Sequence, residues 1–132
     1  MNNLITIAVD AMGGDGSPQK IIKGIQDHHK KSKNIFYRIF GNMKEITKFI
    51  PKDLNPNCFE INHTEEKVIG TDTPLGGAKR GKNTSMWLSI ESVKEKKSDV
   101  VISAGNTGAL LVIAKLNLKM IENIDKPALS AL

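Results

Sequence analysis

A single cysteine, Cys58, in 132 residues excludes an intramolecular disulfide framework and a cysteine-built zinc site. Aromatic residues make up only 5% of the chain, so its core has to be aliphatic, with isoleucine the main supplier. Arginine is nearly absent: Arg38 and Arg80 stand alone, and the net charge of +5 rests on lysine. A basic balance favours acidic partners. Without arginine clusters or stacking aromatics, however, the pattern of a nucleic-acid reader is missing, and no nucleic-acid partner is expected. No run approaches the roughly 20 apolar residues of a membrane span. The opening MNNLITIAVDAMGGD has no basic stretch leading into an apolar one, so no secretory signal is read there and a cytoplasmic setting is expected. What is present, 39% apolar and 25% charged residues, is the composition of a chain that folds. The length is about that of one ordinary domain.

Strand and helix signals alternate. Leu4 to Asp10 reads as a strand buried on both faces. The loop Ala11-Met-Gly-Gly-Asp-Gly-Ser17 follows, with Ser17 read as the N-cap and Pro18 as the first position of a helix running to about His29. Ile35 to Phe40 is a second strand, Asn42 and Glu45 a capping pair for a short helix ending at Pro51, and Cys58 to Ile61 a third strand. The stretch from His63 to Asn83 is poor in apolar residues and rich in glycine, which predicts a long functional or mobile loop. Thr84 to Lys97 has helical periodicity, and Asp99 to Ser103 is a strand. The loop Ala104-Gly-Asn-Thr-Gly108 leads into a helix to about Ile121 that is apolar on most sides and therefore expected to be buried on more than one. Ala128 onward reads as the start of a further strand. This order predicts a doubly wound α/β fold, a mostly parallel sheet with helices on both faces. Right-handed crossovers then bring the strand-to-helix loops to one sheet edge, where ligands of such folds bind.

Two of those loops carry the chemistry. In Asp10-Ala-Met-Gly-Gly-Asp15 two carboxylates flank Gly13 and Gly14 beside a helix N-terminus. Glycines allow close approach of backbone to ligand, and the free N–H groups of the helix attract an anion. Asp10 and Asp15 either orient a ligand or water there or cap the turn's own N–H groups. In the second loop Gly105 and Gly108 bracket Asn106 and Thr107 directly after a buried strand, an arrangement that suits phosphate or another anion. Lys79, Arg80 and Lys82 concentrate positive charge in the glycine-rich segment and are candidates to close over an anionic ligand.

Other signatures fail. Gly76 to Asn83 nearly spells a P-loop, but Asn83 stands where Ser or Thr must hold magnesium, and no strand precedes it. Gln19 occupies the third glycine position of a dinucleotide fingerprint. Cys58 reads as a small core residue. His28, His29 and His63 lack metal-ligand spacing and read as helix-end or loop residues. Neither a metal nor a cofactor is expected.

The residues Asp10 to Asp15 with Pro18, then Asp72-Thr-Pro74, Ala78 through Met86, Ser103 to Leu110 and Lys126 to Leu129 occur in this order in a known family. Together they resemble the N-terminal part of the bacterial phosphate acyltransferase family. The resemblance covers essentially the whole chain and implies that residues 1–132 form the N-terminal portion of a single α/β acyltransferase domain, Rossmann-like and similar to phosphate acetyltransferase and isocitrate dehydrogenase-like folds. It implies that inorganic phosphate attacks the thioester of acyl–acyl carrier protein, giving acyl phosphate for phospholipid synthesis. A homodimer, peripheral association with the inner face of the membrane and an acidic carrier protein docking on lysines belong to the same expectation. Asn106, Asp10 and Asp15 are then the catalytic candidates, and Gly13, Gly14, Gly105, Thr107 and Gly108 the phosphate or oxyanion cradle. Family members commonly carry a histidine where this chain has Gly16, and Lys or Arg where it has Gly81. Two alternatives stay open: an acetyltransferase-like enzyme using acyl-coenzyme A, and a non-catalytic module that binds anions or a partner. The family's chains are more than twice this long, so the 132-residue chain by itself is expected to be inactive and prone to oligomerise.

Overall fold

The computed structural model describes residues 3–131. Four parallel strands, β1 (Ile5–Asp10), β2 (Ile35–Gly41), β3 (Phe59–His63) and β4 (Val100–Ser103), form one sheet in the order β3-β2-β1-β4. The helices are α1 (Gln19–Lys31), α2 (Met43–Thr47), α3 (Pro74–Lys79), α4 (Ser85–Lys94) and α5 (Thr107–Asn117). Alternation along β1 divides the core. Ile7 and Val9 face α1 and α2, packing with Ile22, Ile25, Tyr37, Ile39 and Ile46. The other layer gathers Val68, Met86, Trp87, Ile90, Ala109 and Ile113 from α4, α5 and the chain before α3. The sheet is thus covered on both faces, the doubly wound arrangement that the alternation of elements predicts.

Direction changes at β1. From β1 the chain steps outward to β2 and β3, and β4 then returns to pair on the opposite side of β1, with Asp10 beside Ser103 at the carboxyl ends. That reversal opens a crevice between the loops after β1 and β4, the place where open α/β sheets bind ligands.

Several local expectations need correction. Ser17 is not the cap of α1: Pro18 holds the N-cap position, and the Ser17 hydroxyl donates instead to the Gly13 carbonyl, closing the first glycine loop on itself. The region from His63 to Asn83 is no uninterrupted loop, because it contains α3, capped by Thr73 Oγ1 accepting from the Gly76 N–H at 3.0 Å. Helix α4 stops at Lys94 because Lys96 turns to a left-handed φ of 60°, and the N–H groups of Lys97 and Ser98 then fold back onto the Ser92 carbonyl. Helix α5 ends at Asn117, four residues before Ile121, and leaves Leu116 64% exposed. No strand forms over residues 128–131, which find no ladder partner, and Leu132 lies outside the described residues. Cys58 is buried in a short 3-10 turn leading into β3, a core residue as expected. His28 at the end of α1 bonds Tyr37 Oη through Nδ1 at 2.7 Å, and His63 accepts from the Met43 N–H at 3.0 Å. Among the described residues no helix is long and apolar enough to cross a membrane.

Candidate functional site

Asp10 is the floor of the crevice. Its position at the end of β1, on the α4 side of the pleat, buries it to 1% exposure. Oδ1 accepts from the Ser85 hydroxyl at 2.6 Å and the Met12 N–H at 3.2 Å, and Oδ2 accepts from the Ser103 hydroxyl at 2.7 Å. Ser103 Oγ in turn accepts from the Gly105 N–H at 3.1 Å. One carboxylate therefore ties together the end of β1, the first turn of α4, the end of β4 and the second glycine loop. Buried beneath those loops with both oxygens engaged, Asp10 holds the two loops in place from below.

The two glycine loops lie backbone against backbone. A Cβ on Gly13 would sit 2.6 Å from Asp10 Oδ2 and 2.8 Å from the Gly105 nitrogen. Gly14 has φ +87°, and a Cβ there would meet the Ala104 carbonyl oxygen at 2.5 Å. Both constraints apply at Gly14: the left-handed backbone and the closed space each demand glycine.

Asn106 is the N-cap of α5. Its Oδ1 accepts from the Ala109 N–H at 2.9 Å, while Nδ2 donates to the carbonyls of Gly70 at 3.1 Å and Asp72 at 2.7 Å. These bonds engage Oδ1 and both hydrogens of Nδ2, so Asn106, read from the sequence as catalytic, clamps the 70–72 turn to the helix start. Among the described residues the N–H groups of Thr107 and Gly108 have no hydrogen-bond partner. These are the orphan donors of a helix N-terminus, at the positive end of the α5 dipole. They line a cleft of about 480 Å³ together with Gly14, Asp15, Gly70, Ala104, Gly105 and Asn106. Asp15 stands at its rim, exposed and without a side-chain partner among the described residues. The two loops singled out from the sequence thus share one cleft.

The basic segment does not join them. Arg80 forms a two-pronged ion pair with Asp72, Nη2 to Oδ1 at 2.8 Å and Nε to Oδ2, and is not in the cleft lining. Lys79 and Lys82 are exposed and lie outside the cleft lining. The Arg80 guanidinium holds the Asp72 carboxyl below the usual carboxylate range, against the opposing effect of burial and with help from the Ile69 N–H at 2.8 Å. A carboxyl depressed in the folded chain contributes stability above the ordinary carboxylate pKa and loses it as the pH falls through the folded value. Arg80→Ala is accordingly expected to raise the Asp72 midpoint toward that of a free aspartate in an NMR titration of its carboxyl carbon. An unchanged midpoint would mean that the pair does not form in solution.

Asp72, Pro74, Ser85 and Ser103 stand in the motifs quoted above, but the sequence assigns them no place in the site. Pro74 packs where a Cβ on Gly108 would stand, 2.6 Å from its Cγ. The dipeptide Thr73-Pro74, an N-cap followed by proline at the first helical position, was the available signal for α3. Nothing local marks Ser85 and Ser103 as partners of Asp10, since they lie 75 and 93 residues away along the chain.

A family profile described as "Fatty acid synthesis protein" matches residues 5–132. The chain is 70% identical over 132 residues to a phosphate acyltransferase of Pelagibacter ubique, covering 100% of this chain and 39% of that protein. It is 40% identical over 136 residues to the phosphate acyltransferase of Parvibaculum lavamentivorans, covering 100% of this chain and 37% of that protein. With the phosphate acyltransferase of Enterococcus faecalis it shares 39% identity over 123 residues, 93% of this chain and 36% of that protein. The chain therefore spans between a third and two fifths of the length of these curated relatives. On the match of the profile across nearly its whole length, the chain belongs to the fatty acid synthesis protein family whose curated relatives here are phosphate acyltransferases.

Proposed function

We propose that these residues belong to an enzyme that transfers an acyl group from a thioester to inorganic phosphate. The observation that carries the reading is the pair of unpartnered N–H groups, Thr107 and Gly108, opening into the cleft between the two glycine loops at the point where the strand order reverses. A phosphate oxygen attacks the thioester carbonyl carbon, an oxyanion forms on the carbonyl oxygen, and its collapse breaks the C–S bond. The sulfur leaves as thiolate and takes up a proton. Preformed N–H donors at a helix start hold phosphate or the developing oxyanion without reorganising. Gly13, Gly14 and Gly105 keep the backbone close enough to approach it. Asp15 at the rim accepts a hydrogen bond from the P–OH of hydrogenphosphate, which orients an attacking oxygen. Asp10 and Asn106 act through the loops that they hold.

The acyl donor in this reading is acyl–acyl carrier protein, and the product is acyl phosphate for phospholipid synthesis. The resemblance supports both, and the fatty acid synthesis family agrees with them. It also supports a homodimer and a peripheral relation to the membrane, which sedimentation and vesicle flotation test. The activity is tested with purified protein carrying this sequence, given acyl carrier thioester and phosphate, with acyl phosphate trapped by hydroxylamine. Phosphate-dependent product from the carrier thioester is the expected result. Product from acyl-coenzyme A alone would move the donor to the small thiol, and binding without any product would leave a non-catalytic module.

A further inference from the structure

The charge of the chain is unevenly placed. Between Asp15 and Asp53 lie nine lysines and arginines and four carboxylates, which accounts for the whole net charge of +5 and leaves the remainder neutral. Arg38 turns to the α4 face and pairs with Glu60 at 2.9 Å. The other eight cations are lysines of α1, α2 and the adjoining turns, and Lys20, Lys23, Lys44, Lys48 and Lys52 among them are exposed. Among the described residues only Lys23 of these is in an ion pair, with Asp27 at 3.1 Å.

This basic layer is also concave. A groove of about 510 Å³ runs along α1 against the chain after α2, lined by Gly16, Lys20, Lys23, Gln26, Phe49 and Pro51. Phe49 and Pro51 supply apolar surface, the two lysines supply charge, and no carboxylate lines it. Gly16 lines the groove, and the preceding residues, Gly14 and Asp15, line the cleft described above. Groove and cleft therefore share a single loop.

We propose that the groove along α1 is the docking surface for an acidic protein, which seats an acidic amphipathic helix there and presents its thioester to the neighbouring cleft. The proposal rests on the acyltransferase reading of that cleft. Apolar surface beside a cationic rim complements a helix with one apolar and one acidic face, and the lysine field speeds the encounter and fixes its orientation. A flat basic belt would suit a lipid surface better than a groove that shares a loop with the cleft.

The test compares Lys20→Glu/Lys23→Glu with a control on the neutral part of the chain, Lys94→Glu/Lys119→Glu, both in the full-length protein carrying this sequence. The substrates are acyl carrier thioester and an uncharged acyl-pantetheine thioester, which needs no protein docking. The groove variant should raise KM for the carrier thioester about tenfold or more and flatten its salt dependence, with the pantetheine reaction unchanged. The control should alter neither. An unchanged KM for the carrier thioester, or an equal rise in the control, overturns the proposal. So does loss of binding to phosphatidylglycerol vesicles with carrier kinetics intact, which would make the groove a membrane contact. If the wild type turns over no thioester at all, the acyltransferase reading fails, and calorimetric binding of acyl carrier protein decides docking by itself. Weaker binding by the groove variant then supports docking, and equal binding overturns it.

Discussion

Replacing Asp10 with alanine should lower the unfolding midpoint by about 10–20 °C, at about 3–5 °C for each kcal/mol in a chain of this size. The substitution strips the acceptor from the Ser85 hydroxyl, the Ser103 hydroxyl and the Met12 N–H, all beneath the glycine loops. A buried donor left without a partner costs about 1–3 kcal/mol, so three of them, relaxing in part, sum to about 3–5 kcal/mol. Domains are stable by only about 5–15 kcal/mol, which puts this variant near the edge of unfolding. Asp10→Asn is the informative companion. It keeps the shape and one carbonyl oxygen, and a serine hydroxyl can rotate to accept from the new amide. Its midpoint should fall by no more than about a third as much, a loss of about 1 kcal/mol typical of one rearranged hydrogen bond. Thermal melts of the two variants decide the point: an alanine variant within about 2 °C of the wild type would show that the carboxylate holds nothing together.

The same bonds explain why Asp10 matters to the cleft without entering it. Gly13 passes over Oδ2 with no room for a side chain, and the Gly105 N–H is held by Ser103, itself a donor to Asp10. Loss of the carboxylate would free both loops at once. A fall in activity in Asp10→Asn is therefore expected to follow loop order rather than proton transfer, and should leave the shape of the pH–rate profile unchanged.

Periodicity was enough to read the architecture. The strand run Leu4 to Asp10 was rich in β-branched residues, and Ile35 to Phe40, rich in isoleucine and aromatics, was closed by Gly41, so their places came within a residue of β1 and β2. The Asn42 cap was legible because cap and capped N–H are three residues apart. Contacts between distant residues were not. Ser17 looked like a cap by position, yet its hydroxyl turns back to Gly13 because the first loop closes upon itself. Arg80 looked like a free cation, and Asp72, eight residues earlier, takes it. Helix α3 was hidden by Gly76 and Gly77, poor helix formers that survive because Gly77 lets the helix lie against Ala109 of α5, where a Cβ would come within 2.7 Å. Both loops of the candidate site were visible as glycine-rich turns after strands. The hydrogen bonds that tie Asn106 and Asp10 into the fold were not, because their partners, Gly70, Asp72, Ser85 and Ser103, lie far away along the chain.

Substituting Thr107 with proline should depress phosphate-dependent acyl transfer by about 10²–10³-fold while the fold survives, the loss seen when one preorganised N–H donor is removed. Thr107 is the first residue of α5, the helical position at which proline is tolerated because its N–H has no intrahelical acceptor. The preceding Asn106 has φ −59° and ψ 113°, outside the α region that a following proline disfavours. Its cap to Ala109 is two residues beyond the substitution and stays in place. Few changes remove a donor from a cleft with so little disturbance. Thr107→Val separates backbone from side chain, since it keeps the N–H and discards the hydroxyl. A hydroxyl bond worth about 1 kcal/mol would cost only about fivefold. Equal losses in the two variants would assign the effect to the hydroxyl, and full activity in the proline variant would remove this N–H from the site. The kinetic split identifies what the donor holds. If it grips ground-state phosphate, KM for phosphate rises while kcat is kept; if it meets the oxyanion, kcat falls and KM for phosphate stays.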